Sequence, residues 1–163
     1  MTKLVLPKID RKLISKKLDV IADLKKIVKA ENILDHEDQT RPFETDALSA
    51  YKQKPLAVVF PKNTKEVSKI LAYCNQARIK IVPRGAGTGL SGGALPLEDS
   101  ILLCLTKFNK IIDIDYKNRC VVAQPGVTNL SITQAVEDKG FYYAPDPSSQ
   151  IACSIGGNVA ENS

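Results

Sequence analysis

The sequence predicts an α+β fold, and three observations carry that prediction. A strand–helix–strand pattern spans residues 55–82. Short apolar runs separated by turns follow it, with the look of antiparallel strand pairs. Between the two lies a stretch too rich in glycine for helix or strand. The chain has 163 residues, 44% of them apolar and 25% charged, enough for one globular domain with its own core.

Apolar residues recur at helical spacing at Ile9, Leu13, Leu18, Ile21, Leu24, Ile27 and Val28, which predicts one helix packed on one side. Residues 1–30 hold nine Lys or Arg against three Asp, a net +6, while residues 31–163 hold fourteen basic and fifteen acidic residues, a net −1. A basic arm of this kind suits nucleic acid or a membrane surface. The apolar stripe, and the lack of aromatics among the lysines, favour a solvated face on a packed helix, so no nucleic-acid partner is expected.

An acidic, turn-rich connector runs from Glu31 to Lys54. Leu56 to Phe60, bounded by Pro55 and Pro61, is a buried strand. Asn63 or Thr64 caps the next helix, with Glu66 in its first turn and Val67, Ile70, Leu71 and Cys74 on one face, ending near Arg78. Ile79 to Val82 is the next strand. Ile101 to Leu105, Ile111 to Asp115 and Cys120 to Ala123 are further strands. Thr128 to Lys139 is a helix stopped by Gly140. Tyr142 to Pro147 is extended, and residues 154–163 are rich in glycine and asparagine.

No apolar run approaches the ~20 residues of a transmembrane helix. Lys, Asp and Arg break the N-terminal apolar runs from Lys3 to Lys12, unlike a secretory signal. A cytoplasmic chain with at most peripheral membrane association is expected. Cys74, Cys104, Cys120 and Cys153 are scattered without a CxxC pair and predict buried free thiols. His36, the only histidine, is expected at the surface, and no metal site is predicted.

The glycine-rich stretch carries the chemistry. Arg84-Gly-Ala-Gly-Thr-Gly-Leu-Ser-Gly-Gly93 has five glycines in the nine positions from Gly85 to Gly93. Glycine brings the main chain close to a ligand, and successive N–H groups can converge on an anion such as a diphosphate. Arg84, Thr88 and Ser91 offer further donors, while Ala86 and Leu90 complete the loop. Gly87-Thr-Gly-Leu-Ser-Gly92 is a literal GxGxxG, but a Rossmann site needs it to open a helix, and Pro96 and a strand follow too soon. Gly93 stands where a P-loop lysine must be, and the kinase loop lacks its partner motifs. A second segment, Pro145, Asp146, Ser149, then Ser154-Ile-Gly-Gly-Asn158 and Asn162, gives another close backbone approach through Gly156 and Gly157. Two such loops, about 60 residues apart, suit a long ligand with a diphosphate in its middle.

The run from Pro61 to Pro96 with its Arg84–Gly93 loop, together with Pro145-Asp-Pro-Ser-Ser149 and Ile155-Gly-Gly157, resembles the FAD-binding domain of the vanillyl-alcohol oxidase (PCMH-type) flavoproteins. Within that family the likeness is to the glycolate oxidase FAD-subunit and D-lactate dehydrogenase branch. The resemblance implies an N-terminal helix and connector (1–50), then a PCMH-type FAD-binding domain (51–163) holding the first α+β subdomain and part of the second. It implies a pyrophosphate held by Gly85–Gly92 and a flavin and ribityl side lined by residues 145–162. Many relatives attach FAD through a histidine in the glycine loop; Thr88 and Gly89 stand there, so non-covalent FAD is expected. The implied reaction is FAD-dependent oxidation of a short 2-hydroxy acid. Implied partners are a second FAD-type subunit and an iron–sulfur subunit, or self-association through unpaired strand edges. The family's substrate-side residues lie further toward the C-terminus, so the chain is expected to be cut on that side, to hold no catalytic residue and to be inactive alone. The alternative is a non-catalytic nucleotide-binding or assembly module that needs a partner chain.

Overall fold

The computed structural model describes residues 7–162; Lys3, at the start of the predicted basic arm, and Ser163 lie outside the described residues. The single N-terminal helix expected from the apolar stripe is two. Helix α1 (Arg11–Ser15) starts at Asp10, whose carboxylate accepts from the N–H groups of Lys12 and Leu13 at 2.9 and 3.2 Å. Lys16 leaves helical geometry, and α2 (Lys17–Lys25) begins after it. The break turns the buried face to Val20, Ile21 and Leu24 and leaves Leu18 82% exposed.

The acidic connector is structured. Strand β1 (Ile33–Leu34) pairs antiparallel with β2 (Ala57–Val59), and α3 (Glu37–Thr40) and a 3₁₀ turn (Arg41–Phe43) follow β1. His36 caps α3 from an exposed position. Helix α4 (Thr64–Gln76) starts where the sequence places it: Asn63 Oδ1 accepts from Glu66 N–H at 2.9 Å, and Glu66 accepts from Lys62 N–H at 2.7 Å. It ends at Gln76, two residues before Arg78, whose φ of +56° no helix tolerates. Ile70 and Cys74 are buried on this helix, while Leu71 sits at its rim.

Strands β3 (Lys80–Arg84) and β4 (Ser100–Cys104) complete a four-stranded sheet of order β1-β2-β4-β3. Here the expectation of antiparallel pairing is corrected, because β4 inserts between β2 and β3 and is parallel to both. All five β4 residues are buried, and a strand apolar on both faces belongs at the centre of a sheet covered on both sides. Alternation then sorts the side chains. Ala57, Val59, Ile101 and Leu103 join Val20, Ile21, Leu24, Ile70 and Cys74 in the main core. Val58, Leu102 and Cys104 face the other way, toward Phe43 and Phe60.

The antiparallel expectation does hold for the hairpin of β5 (Ile111–Asp115) and β6 (Cys120–Ala123). One face of this hairpin meets solvent, so Cys120 is exposed rather than buried like the other three cysteines. Helix α5 (Asn129–Val136) is capped by Thr128 and continues as one 3₁₀ turn to Gly140, at φ +75°. The glycine- and asparagine-rich tail, expected as a loop, forms helix α6 (Ile155–Glu161).

Candidate diphosphate cradle

The glycine-rich loop leaves the C-terminal end of β3, beside the end of its parallel neighbour β4. Leu105 N–H donates to Arg84 O at 2.9 Å, and the Cys104 thiol lies 3.9 Å from Gly85 O. Ligand loops of parallel sheets gather at this end, where strands diverge and backbone groups lose their ladder partners. No helix opens between Gly92 and β4, as the sequence required in setting the Rossmann reading aside.

The loop does not stand alone. A Cβ on Gly85 would lie 2.1 Å from Ser154 Oγ, and one on Gly93 would lie 2.6 Å from Glu161 Oε1. The two segments expected to flank a long ligand are therefore in contact, with α6 seated against the loop. The start of α6 is stitched in turn to residues 125–128. Ile155 and Gly156 donate to Val127 O and Pro125 O at 2.8 Å each, and a Cβ on Gly156 would sit 2.6 Å from Pro125 Cβ.

A hollow of about 340 Å³ opens beside this junction, lined by Ala86, Thr106, Asn109, Thr128, Ser131 and Ser154 among others. Ser154 is 4% exposed, yet its hydroxyl has no hydrogen-bond partner among the described residues; the same holds for Asn158 Nδ2 and Asn129 Oδ1. Each such buried group costs about 1–3 kcal/mol until something pairs with it. A nucleotide with a diphosphate fits this lining: hydroxyls of Thr106, Thr128, Ser131 and Ser154 and the Asn109 amide, with no carboxylate. A larger hollow, about 440 Å³, lies at the opposite end of the strands. Its lysines are already engaged: Lys17 with Asp35 O, Lys52 with Glu44 and Lys54 with Glu37.

The other predicted residues sort by place. Gly87 and Gly92 take φ of +76° and +77°, so both need glycine. Thr88 and Gly89 are half-buried, while Leu90 and Ser91 form the exposed tip. Pro145 and Asp146 are exposed, and Pro145 O accepts from Asn129 Nδ2 at 3.0 Å. Ser149 O accepts from the N–H groups of Ala152 and Cys153, which makes it a turn residue. Gly157 lies in the first turn of α6, and Asn162 ends that helix at φ +54°. The guanidinium of Arg84, read as a ligand donor, turns inward to Thr45 O and Ala94 O at 2.8 and 3.5 Å, 5.6 Å from the Phe43 ring centre.

The sequence reading missed two groups. Thr106, Asn109, Thr128 and Ser131 line the hollow; only the Thr128–Ser131 cap spacing signalled any of them. Phe43, Thr45 and Leu48 come from the connector to form the floor of the loop, with Leu48 3.6 Å from a Cβ built on Gly92.

Fold and site together define a class: an α+β module with a glycine-rich loop set at the C-terminal end of parallel strands and seated against a second glycine-containing segment. The family model described as FAD binding domain matches residues 55–163, and the chain belongs to that family. FAD is its cofactor. Glycolate oxidase subunit GlcD of Escherichia coli strain K12 is 52% identical over 157 residues, covering 96% of this chain and 30% of that protein. D-lactate dehydrogenase of Anaerostipes hadrus is 36% identical over 138 residues, covering 84% and 29%. The chain thus spans about 30% of the length of these curated relatives. The crystal structure of p-cresol methylhydroxylase with substrate bound superposes with a TM-score of 0.78 at 23% identity, over 96% of this chain and 31% of that one, and shares the fold. Among the described residues no helix is long and apolar enough to cross a membrane.

Proposed function

We propose that this chain holds FAD without a covalent bond, as the flavin-binding portion of a 2-hydroxy-acid oxidoreductase of the glycolate oxidase or D-lactate dehydrogenase type. The seat of Gly85 against the buried, unpartnered Ser154 hydroxyl carries the reading, because it joins both predicted segments at one cradle. Backbone N–H groups of Gly85–Gly92 hold the pyrophosphate, since a diphosphate needs many donors and the glycines let the main chain come close to it. Ser154, Gly156, Gly157 and Asn158 serve the flavin and ribityl side with neutral hydrogen-bonding groups. When bound, FAD supplies the hydride-accepting chemistry that protein side chains lack.

Thr88 and Gly89 offer no nucleophile of the kind that tethers a flavin, and His36 caps α3, outside the loop. Substrate class, a cytoplasmic location and assembly with a second FAD-type subunit and an iron–sulfur subunit extend the proposal to the whole protein. A flavin titration of the purified chain tests its base. Saturable FAD binding, with all flavin released into the supernatant on acid precipitation, is the expected outcome. No binding by a folded chain overturns the cradle; flavin retained on the acid-denatured chain overturns the non-covalent attachment.

A further inference from the structure

The structure holds a buried cation under the glycine-rich loop that no ion pair accounts for. Arg84 is 9% exposed. Among the described residues no carboxylate comes within 4.0 Å of its guanidinium. It meets only neutral groups in hydrogen bonds and ring contact: Thr45 O, Ala94 O and the face of Phe43. The guanidinium lies directly beneath Gly87. A Cβ there would meet Arg84 Nη2 at 2.2 Å and Nε at 2.7 Å, so the loop backbone rests on the charged group itself.

Burying a cation without a counter-ion is costly, and proteins rarely leave one so. Burial holds the guanidinium below its usual value, and the neighbouring Cys104 and Asp46 pull only partly the other way. Asp46 is itself buried, with one carboxylate oxygen bonded to Leu48 N–H at 2.9 Å. The loop above offers N–H groups to an anion, so the charge below acts on the same ligand through a low-dielectric layer one backbone thick.

We propose that Arg84 is the counter-charge of the diphosphate, a positioning residue that draws the anion onto the loop from beneath instead of reaching out to bind it. The inference rests on the FAD reading above and adds to it the source of the loop's positive field. Arg84 stays bridged to Thr45 and Ala94, the two ends of the loop floor, while the ligand binds.

The test titrates the full chain with FAD, by flavin fluorescence, at low and high salt. Wild type binds, and more weakly as salt rises. Arg84→Met keeps the apolar stem and loses the charge; it is expected to weaken binding about tenfold or more and to flatten the salt dependence. Arg84→Lys keeps the charge and loses the two-carbonyl bridge; it is expected to stay within about threefold of wild type with the wild-type salt slope. Wild-type affinity in Arg84→Met overturns the proposal. So does an Arg84→Lys that falls as far as Arg84→Met, because the role is then geometric. If circular dichroism shows Arg84→Met unfolded, the Arg84→Lys titration decides: affinity within about threefold of wild type with the wild-type salt slope supports the proposal, and a loss of about tenfold or more overturns it. A wild type that binds no FAD removes the underlying reading before any variant is measured.

Discussion

At the scale of single residues, the cradle depends on what is missing at Gly85. A methyl there meets Ser154 Oγ at 2.1 Å but Ser154 Cβ at 3.4 Å, so the hydroxyl alone makes the clash. Gly85→Ala is expected to cost about 1–3 kcal/mol of stability, the usual range for overpacking, and about tenfold in FAD affinity. The double variant Gly85→Ala/Ser154→Ala removes the clashing atom. Its melting temperature should return toward wild type while its FAD affinity stays low, since the hydroxyl offered to the ligand is gone. Thermal melts with flavin titrations of the three proteins check this; a double variant no more stable than Gly85→Ala would show that the two residues do not meet as described.

At the scale of elements, the start of the chain is tied to the sheet by one buried carboxylate. Asp99, 1% exposed, accepts from Lys80 Nζ and from Asp10 N–H at 2.7 Å each, and Lys80 also donates to Lys8 O at 3.0 Å. Burial pushes the Asp99 carboxyl up, but the Lys80 and Asp10 hydrogen bonds together outweigh it and hold the group below its ordinary 3.8. A carboxyl depressed in the folded state adds stability above its unfolded value and loses it as pH falls through the folded one. Asp99→Asn is therefore expected to be less stable than wild type near neutrality by about 1–3 kcal/mol, the cost of unpairing a buried group. The gap should narrow below pH 3.8. Denaturant unfolding at neutral and acid pH measures it, and a gap that widens in acid reverses the sign assigned to Asp99.

At the scale of the whole molecule, the loop end of the sheet and the hairpin leave apolar side chains uncovered. Leu90, Tyr142, Ile151 and Val159, each more than 70% exposed, lie on or near the two cradle segments, and Ile112 and Val122 are exposed on the β5–β6 hairpin. Pro83 blunts β3, the sheet edge beside β4, so backbone pairing there is weak and apolar contact is the stronger drive. The chain alone is expected to self-associate as a dimer or larger species. Light scattering that finds only monomer at all concentrations would count against this.

Legibility followed the range of the forces involved. Local signals were readable: the Asn63–Glu66 cap, the stop at Gly140, both strands of the hairpin and the glycine density of residues 85–93 all depend on residues a few positions apart. The family resemblance rested on the same contiguous runs, and the match over residues 55–163 agrees with it. What needed neighbours distant in sequence was not readable. The parallel insertion of β4, the break at Lys16 and the helix at 155–161 each answer to burial against other elements. The inward turn of Arg84 depends on Phe43 and Thr45, some forty residues earlier, inside a connector that composition alone marked as a turn-rich link. The sequence by itself determined that residues 85–93 form a loop whose backbone a ligand can approach closely, because glycine carries no side chain. Tertiary structure decided which groups surround that loop and that Arg84 lies buried beneath it, because burial and partner geometry belong to the folded chain.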